Sequence, residues 1–590
     1  MPLAWRPRVP SLGTRTTPAT LLTGLLPTVW VLVLSLVLLG PALAPGYVLT
    51  YDMVWVPDLA LGPAALGVSS ALPRAVPSDA IVAVLDQLVP GMLLQKVVLL
   101  GALVLAGCGI QRLVGDAMVA KLVAATAYLW NPFVVERLWI GHWPLLLGYA
   151  ALPWVVHSVT RLAAGEARWG AVAGWLVLGS LSPNAGLMTG LAAVVAGLAG
   201  HRGRDAGSAR LRLVGLVAAV NAPWLVSGIL HAGSAVTAGV DAFALNSEGP
   251  LPAPLAALGL GGIWNAEVVP ASRSTALAWV GLAVTLALGA AGARRWSRSA
   301  SSPQRVTLVV CAVIGLALAL APTLAPGPLD RLVQTIPGAG LLRDSARSLA
   351  LLAPLVAVLM ADGAQALVER VASPARWGLA TALVLLPVMA MPDAAWGVGG
   401  ALRPVSYPPG LLRAADELDR ARTELPGDVV VLPFSSYRAP EWNDGRKVLV
   451  PLGRLLGSGV VTSDELLLPG RVVPGEDPLG PRVSAALALP TAQARSEALV
   501  ALGLQYAAVE DGATPILAGQ VLASEPEVTL LRLPGRAPES TTSGGWIAAM
   551  AAAWAAWLAV LLTALATLAQ RRRPGSGSMR SAGGTLHQRS

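Results

Sequence analysis

Apolar stretches follow one another along most of this chain, near residues 21–43, 92–110, 117–130, 143–160, 169–181, 185–200, 211–230, 276–293, 306–324, 348–368, 377–391 and 546–569, with short connections between them. A run of that kind crosses the hydrocarbon core as a helix because a helix satisfies its backbone polar groups internally. Repeated about twelve times, it predicts an all-α polytopic membrane protein. Composition agrees: 55% of the residues are hydrophobic, 13% are charged and the mean hydropathy is +0.64, more apolar material than one aqueous core can enclose.

The formal charge of +9 does not gather on one face, as nucleic-acid binding requires. Instead, arginines occupy alternate connections: Arg112; Arg161 and Arg168; Arg202, Arg204, Arg210 and Arg212; Arg294, Arg295, Arg298 and Arg305; Arg370 and Arg376; and Arg571, Arg572 and Arg573. With Arg6, Arg8 and Arg15 ahead of the first run, the positive-inside rule predicts a plasma-membrane protein with both termini cytoplasmic. The segment from Pro41 to Ala44 resembles a signal-peptide cleavage site, but the length of the first run and the spans after it favour an uncleaved helix. Cys108 and Cys311 lie inside apolar runs and form neither a disulfide framework nor a metal motif.

The other connections are longer and are predicted to be extracytoplasmic. The largest, residues 392–545, carries the β-branched runs DVVVLPF (428–434), QYAAVE (505–510) and VTLLRL (528–533), alternating with helix-like stretches at 409–423 and 491–502. This alternation predicts a small extracytoplasmic α/β domain. The expected organisation is therefore a transmembrane region over 1–391, the soluble domain over 392–545, a last transmembrane helix over 546–569 and a Gly/Ser/Arg-rich disordered tail over 570–590.

Polar groups on the predicted outer face supply the candidate sites. GYVLTYDMVWVPD (46–58) sets Asp52 and Asp58 beside the membrane, where a carboxylate in apolar surroundings is costly and suggests a function. WNPFVVERLWIGHW (130–143) holds Asn131, Glu136, Arg137 and His142 among tryptophans; an interfacial aromatic belt accounts for the tryptophans, whereas Pro132 should place Asn131 and His142 on irregular backbone beside a cavity. In GAGLLRDSAR (338–347), Arg343 and Arg347 are four apart, so a helix starting near Asp344 would present both at its N-terminus as a phosphate site; a local Arg343/Asp344 ion pair is the competing reading. Trp264 and Asn265 can contact a sugar, as can Trp442 and Asn443 in APEWNDGRK, and both loops can equally be idle surface.

An acidic residue in the first outer loop, an Asn-Pro segment with an aromatic His-Trp region, an Arg-Asp-x-x-Arg before a late span and a C-terminal outer domain together resemble the GT-C superfamily. These are integral membrane glycosyltransferases that use polyprenyl-phosphate sugars, among them actinobacterial arabinofuranosyl- and mannosyltransferases. The resemblance implies that Asp52, or else Asp58, acts as general base on an acceptor hydroxyl. Where several members have two adjacent acidic residues this chain reads Tyr51-Asp52-Met53, which puts a divalent-cation site in doubt and leaves the cofactor unknown. The expected partners are a polyprenyl-phosphate-linked sugar, an envelope glycan or glycolipid acceptor and the bilayer, with no nucleic acid. In this scheme Arg343, Arg347, Arg137 and His142 hold the donor phosphate, and Asn131, Glu136, Trp264, Asn265, Trp442 and Asn443 hold sugar. A lipid-linked saccharide transporter or a non-catalytic envelope-assembly protein would share the architecture; a transporter would more often carry its charges at midplane depth.

Overall fold

The computed structural model describes residues 18–69, 74–232, 240–336, 338–468, 471–510, 516–538 and 542–572. Arg6, Arg8, Arg15 and the tail from 574 onwards lie outside them. All twelve apolar stretches are helical, but they are not twelve equal spans. Among the described residues nine helices are long and apolar enough to cross a membrane, and up to eleven if each of two bent pairs counts once. The bent pairs are Ser345–Leu351 with Ala353–Val368, at 41°, and Ala375–Ala390 with Pro392–Gly400, at 73°. Trp169–Gly179, at 11 residues, is too short to span a 30 Å core at about 1.5 Å per residue; it packs beside the last helix, Gly544–Arg572. The chain is a multi-pass helical membrane protein carrying a small sheet-containing region towards its C-terminus.

The break expected at Pro132 is a cap rather than an excursion. Met118–Leu129 ends, Asn131 takes extended backbone and its side chain accepts a hydrogen bond from Val134 N at 3.1 Å, and Pro132, which lacks the N–H a first turn would leave unpaired, starts Pro132–Trp139. The Asn131 amide donates to the Ala127 and Tyr128 carbonyls, and the residue is buried. It therefore closes one helix and opens the next, and its side chain is engaged in that cap. His142, in contrast, does sit on the irregular turn between two spans.

The sheet has five strands in the order Gln520–Ser524, Val528–Arg532, Leu504–Glu510, Asp428–Leu432 and Val460–Val461. The middle pair, Asp428–Leu432 with Leu504–Glu510, is parallel, and the strands on the 504–532 side are antiparallel. Leu504–Glu510 is buried along its whole length, as expected of a strand covered on both faces. One face meets Pro409–Glu424 through Leu411, Ala414 and Leu418; the other meets Leu479–Leu487 and Ala492–Ala501 through Val483 and Leu499.

The first loop is stitched into this region. Tyr47–Val48 pairs antiparallel with Pro404–Val405, Tyr51 N donates to Lys447 O at 2.8 Å and Leu449 N donates to Tyr51 O at 2.7 Å. On the membrane side, Asp52 N donates to Ile140 O at 3.0 Å. This approach depends on Gly141, whose φ is +88° and whose Cβ, if it had one, would stand 2.2 Å from Met53 N. Residues 50–53 are thus clamped between the turn before Trp143 and the 437–449 hairpin.

Candidate active site

Asp52 is where the clamp converges. His142 Nε2 lies 3.1 Å from Asp52 Oδ2, and the Tyr437 hydroxyl donates to Asp52 Oδ1 at 2.6 Å. One partner comes from a turn between spans and the other from the sheet-containing region, so neither part alone forms the pair. Burial would raise the Asp52 pKa, but the hydrogen bond and charge of His142, the Tyr437 hydroxyl and the Arg347 charge outweigh it and hold the carboxylate below the usual range. Burial and the nearby Arg347 push His142 down, towards the neutral imidazole that donates Nε2–H to Asp52. Burial beside the Asp52 carboxylate pushes the Tyr437 phenol well up, so it stays protonated and donates.

Behind this pair is a second carboxylate, Asp344, held by two guanidinium groups. Arg347 Nε stands 2.6 Å from Asp344 Oδ2, and Arg137 Nη1 stands 3.9 Å from the same oxygen. Arg137 is one of the largest fully buried side chains in the protein, with its guanidinium over the Phe133 ring at 5.4 Å. Burial would raise Asp344, and the two arginines bring it below its ordinary value. Arg347 is half-exposed, and beyond its Nε no hydrogen bond forms among the described residues. Its terminal nitrogens are left without a hydrogen bond among the described residues, and its charge acts on both Asp52 and His142. His142 Nδ1, Arg137 Nε and Asp344 Oδ1 are buried without hydrogen-bond partners among the described residues. Such groups usually belong to a functional site or a site of stored strain.

The expected arginine pair does not share a helix face. Ser345–Leu351 is a 3-10 helix of 7 residues with three residues per turn, so positions four apart diverge, and Arg343 precedes it. Arg347 turns to Asp344, while Arg343 ion-pairs with Glu476 and lies 5.8 Å above the Phe243 ring. Glu476 and Asp464 also meet Arg74, tying the first loop to the same region.

Six further candidates, at four places in the fold, fall elsewhere. Asp58 is exposed and accepts from Gln87 at 2.9 Å, away from His142, so it is no substitute for Asp52. Asn443 is fully buried and donates to Leu49 O and Arg446 O, and the partly buried Trp442 packs against Tyr407 at 5.3 Å, so both hold the loop to the clamp. Asn265 caps a short turn by accepting from Glu267 N, and Trp264 packs on Phe243 at 5.2 Å. Glu136 is buried facing Glu248, which ion-pairs with Arg273 at 2.6 Å, one residue from Arg137 yet turned from Asp52 to the 248–273 loop.

Among the described residues no three His, Cys, Asp or Glu side chains gather as a metal site. Asp52 offers one carboxylate and shares it with an imidazole and a phenol, while Asp344 faces two arginines. This donor set does not furnish the oxygen-rich cage that a hard divalent cation takes. Tyr437 and Asp344 are the participants sequence reading missed; Asp344 lay inside the quoted Arg-Asp-x-x-Arg, whereas nothing near Tyr437 marked it.

No protein-family profile matches the chain, and no curated protein matches it. Solved structures do. The arabinofuranosyltransferase AftD from Mycobacteria is 17% identical, with a TM-score of 0.49 over 88% of this chain and 40% of that one. A mutant form of AftD gives 0.51 over 87% and 41%, at the same 17% identity. The archaeal oligosaccharyltransferase AglB from Archaeoglobus fulgidus, in complex with an inhibitory peptide and a dolichol-phosphate, is 11% identical with a TM-score of 0.36 over 82% of this chain and 69% of that one. This chain spans about two fifths of the AftD length. At these identities the likeness concerns fold, and it rests on the 0.51 superposition. Over most of its length the chain shares the fold of the arabinofuranosyltransferase AftD.

Proposed function

We propose that the protein transfers a sugar from a polyprenyl-phosphate donor to a cell-envelope glycan or glycolipid, on the outer face of the plasma membrane, with Asp52 as general base. The observation that carries this reading is the junction itself. An ionised carboxylate is hydrogen-bonded by His142 at 3.1 Å and Tyr437 at 2.6 Å, with the Arg347 guanidinium close enough to act on both Asp52 and His142.

The acceptor O–H attacks the anomeric carbon, forming a new C–O bond as the bond from that carbon to the phosphate oxygen breaks. The phosphate leaves with the electron pair, and the acceptor proton passes to an Asp52 oxygen. Arg347 faces the developing phosphate charge through its terminal nitrogens, and Asp344 with Arg137 holds Arg347 in place. His142 and Tyr437 fix the rotation of the carboxylate, so proximity and orientation are set before the substrates meet. Arg343, tied to Glu476, supplies a more distant positive charge.

The test is transfer of radiolabelled sugar from synthetic polyprenyl-phosphate donors, pentose and hexose, in membranes carrying the wild type or Asp52→Asn. The expected result is transfer from at least one donor by the wild type and loss in the variant. Equal transfer by the two proteins would remove Asp52 from the reaction.

A further inference from the structure

A cavity opens beside the first-loop turn at Thr50 and Tyr51, and Asp52, His142 and Tyr437 are not among the residues that line it. It encloses about 490 Å³ and is floored by Thr50 and Tyr51, walled by Trp139 and the turn 398–401, and rimmed by Arg403, Arg446 and Lys447 against a single carboxylate, Asp444. That volume is within the roughly 300–1,000 Å³ of small-molecule sites. Three cations against one anion leave it net positive, whereas at the Asp52 centre two carboxylates face two guanidinium groups.

Its place in the fold identifies the ligand class. Trp139 closes the candidate span Met118–Trp139, and the 398–401 turn ends the bent pair Ala375–Ala390 and Pro392–Gly400, so the mouth lies where two membrane segments finish. Two residues before that turn, Trp396 is 64% exposed on backbone of positive φ, an exposed aromatic ring of the kind that makes up interfacial tryptophan belts. The cations differ in how they are held. Lys447 bonds both oxygens of Glu267, and Arg446 donates to the Ala401 and Arg403 carbonyls, so these two are fixed in position. Arg403 is exposed, and its guanidinium makes no hydrogen bond or ion pair among the described residues. A positioned pair of cations with one exposed guanidinium at the rim, near an exposed tryptophan, suits a phosphodiester entering from the bilayer.

We propose that this cavity binds the phosphorylated headgroup of an anionic membrane phospholipid, separately from the sugar donor. Its acyl chains remain in the bilayer along the 375–390 helix and its phosphate reaches Arg403 and Arg446. Because Glu267 bonds both Lys447 and the Tyr51 hydroxyl, at 2.7 Å each, the bound headgroup also braces the strand that carries Asp52.

Binding of short-chain phosphatidylglycerol, short-chain phosphatidylcholine and inorganic phosphate to the detergent-purified full chain tests this, read by native mass spectrometry and by titration, with no dependence on transferase activity. The wild type is expected to bind phosphatidylglycerol about tenfold more tightly than phosphatidylcholine, with Arg403→Gln reducing that affinity about fivefold at unchanged Tm. Arg347→Gln is expected to leave it unchanged. Equal affinity for the two lipids, or no loss in Arg403→Gln, overturns the proposal. Displacement by millimolar inorganic phosphate makes it a free-phosphate site and overturns the lipid assignment. Loss of binding in Arg347→Gln places the lipid at the Asp52 centre and also overturns it.

Discussion

Asp52→Asn is the most informative perturbation because it removes a charge while nearly keeping a shape. The asparagine carbonyl can still accept from the Tyr437 hydroxyl, which lies 2.6 Å from Oδ1 in the native protein. Its amide would face His142 Nε2, now 3.1 Å from Oδ2, and the imidazole must switch tautomer to accept there, moving its proton to the buried, unpartnered Nδ1. An unsatisfied buried donor of this kind costs about 1–3 kcal/mol, which a chain of this size tolerates. Loss of a positioned general base costs about 10²–10⁴-fold in rate, or about 3–5 kcal/mol of barrier. The two effects separate when initial rates from a radiolabelled polyprenyl-phosphate sugar are normalised to folded protein and a Tm is measured beside them. The expected result is a rate loss of at least about a hundredfold with a Tm lowered by a few degrees. A variant that keeps its rate while losing Tm would mean Asp52 is only a structural tie between membrane and sheet regions, and the base assignment would fail.

Tyr437→Phe should move the acid limb of the kcat/KM profile to higher pH: the phenol stabilises the charged form of Asp52, whose pKa lies below the ordinary value, so losing the donor raises it. A limb that stays put or moves to lower pH would contradict this. Arg347→Ala should lower kcat far more than Arg343→Ala, because Arg347 reaches the Asp52 centre while Arg343 is committed to Glu476; equal losses in steady-state assays would argue against that division. Gly141→Ala should destabilise by about 2 kcal/mol or more, since it adds a Cβ against Met53 N at a positive φ, and thermal unfolding would reveal it. Asn443→Ala should lower Tm through the lost bond to the Leu49 carbonyl, at a cost of about 1–3 kcal/mol, without changing acceptor KM; a raised KM at constant Tm would return Asn443 to the ligand.

The membrane character of this chain was legible from its sequence because hydropathy is local: an apolar run spans whatever surrounds it. Asp428–Leu432, Leu504–Glu510 and Val528–Arg532 were legible for a similar reason, since β-branched runs such as DVVVL need burial on both faces, whereas Gln520–Ser524, as long as two of them, was not. Asp52, His142, Arg137 and Arg347 could be singled out because a charge beside apolar segments is costly wherever it occurs. Direction was another matter. Asn131 reads as a polar group beside a cavity and is a buried helix cap, Arg343 and Arg347 diverge because the backbone between them is 3-10, and Asp58 points away although it is six residues from Asp52. Span count also depended on tertiary structure, since a bend or a neighbouring helix decides whether a short apolar helix crosses. Tyr437 shows the limit most clearly. It sits 385 residues from Asp52 in sequence, and no local pattern ties the two. Their contact exists because the Tyr51 backbone pairs with the 447–449 strand while Gly141 admits Met53 from the opposite side, a geometry set by packing between distant segments.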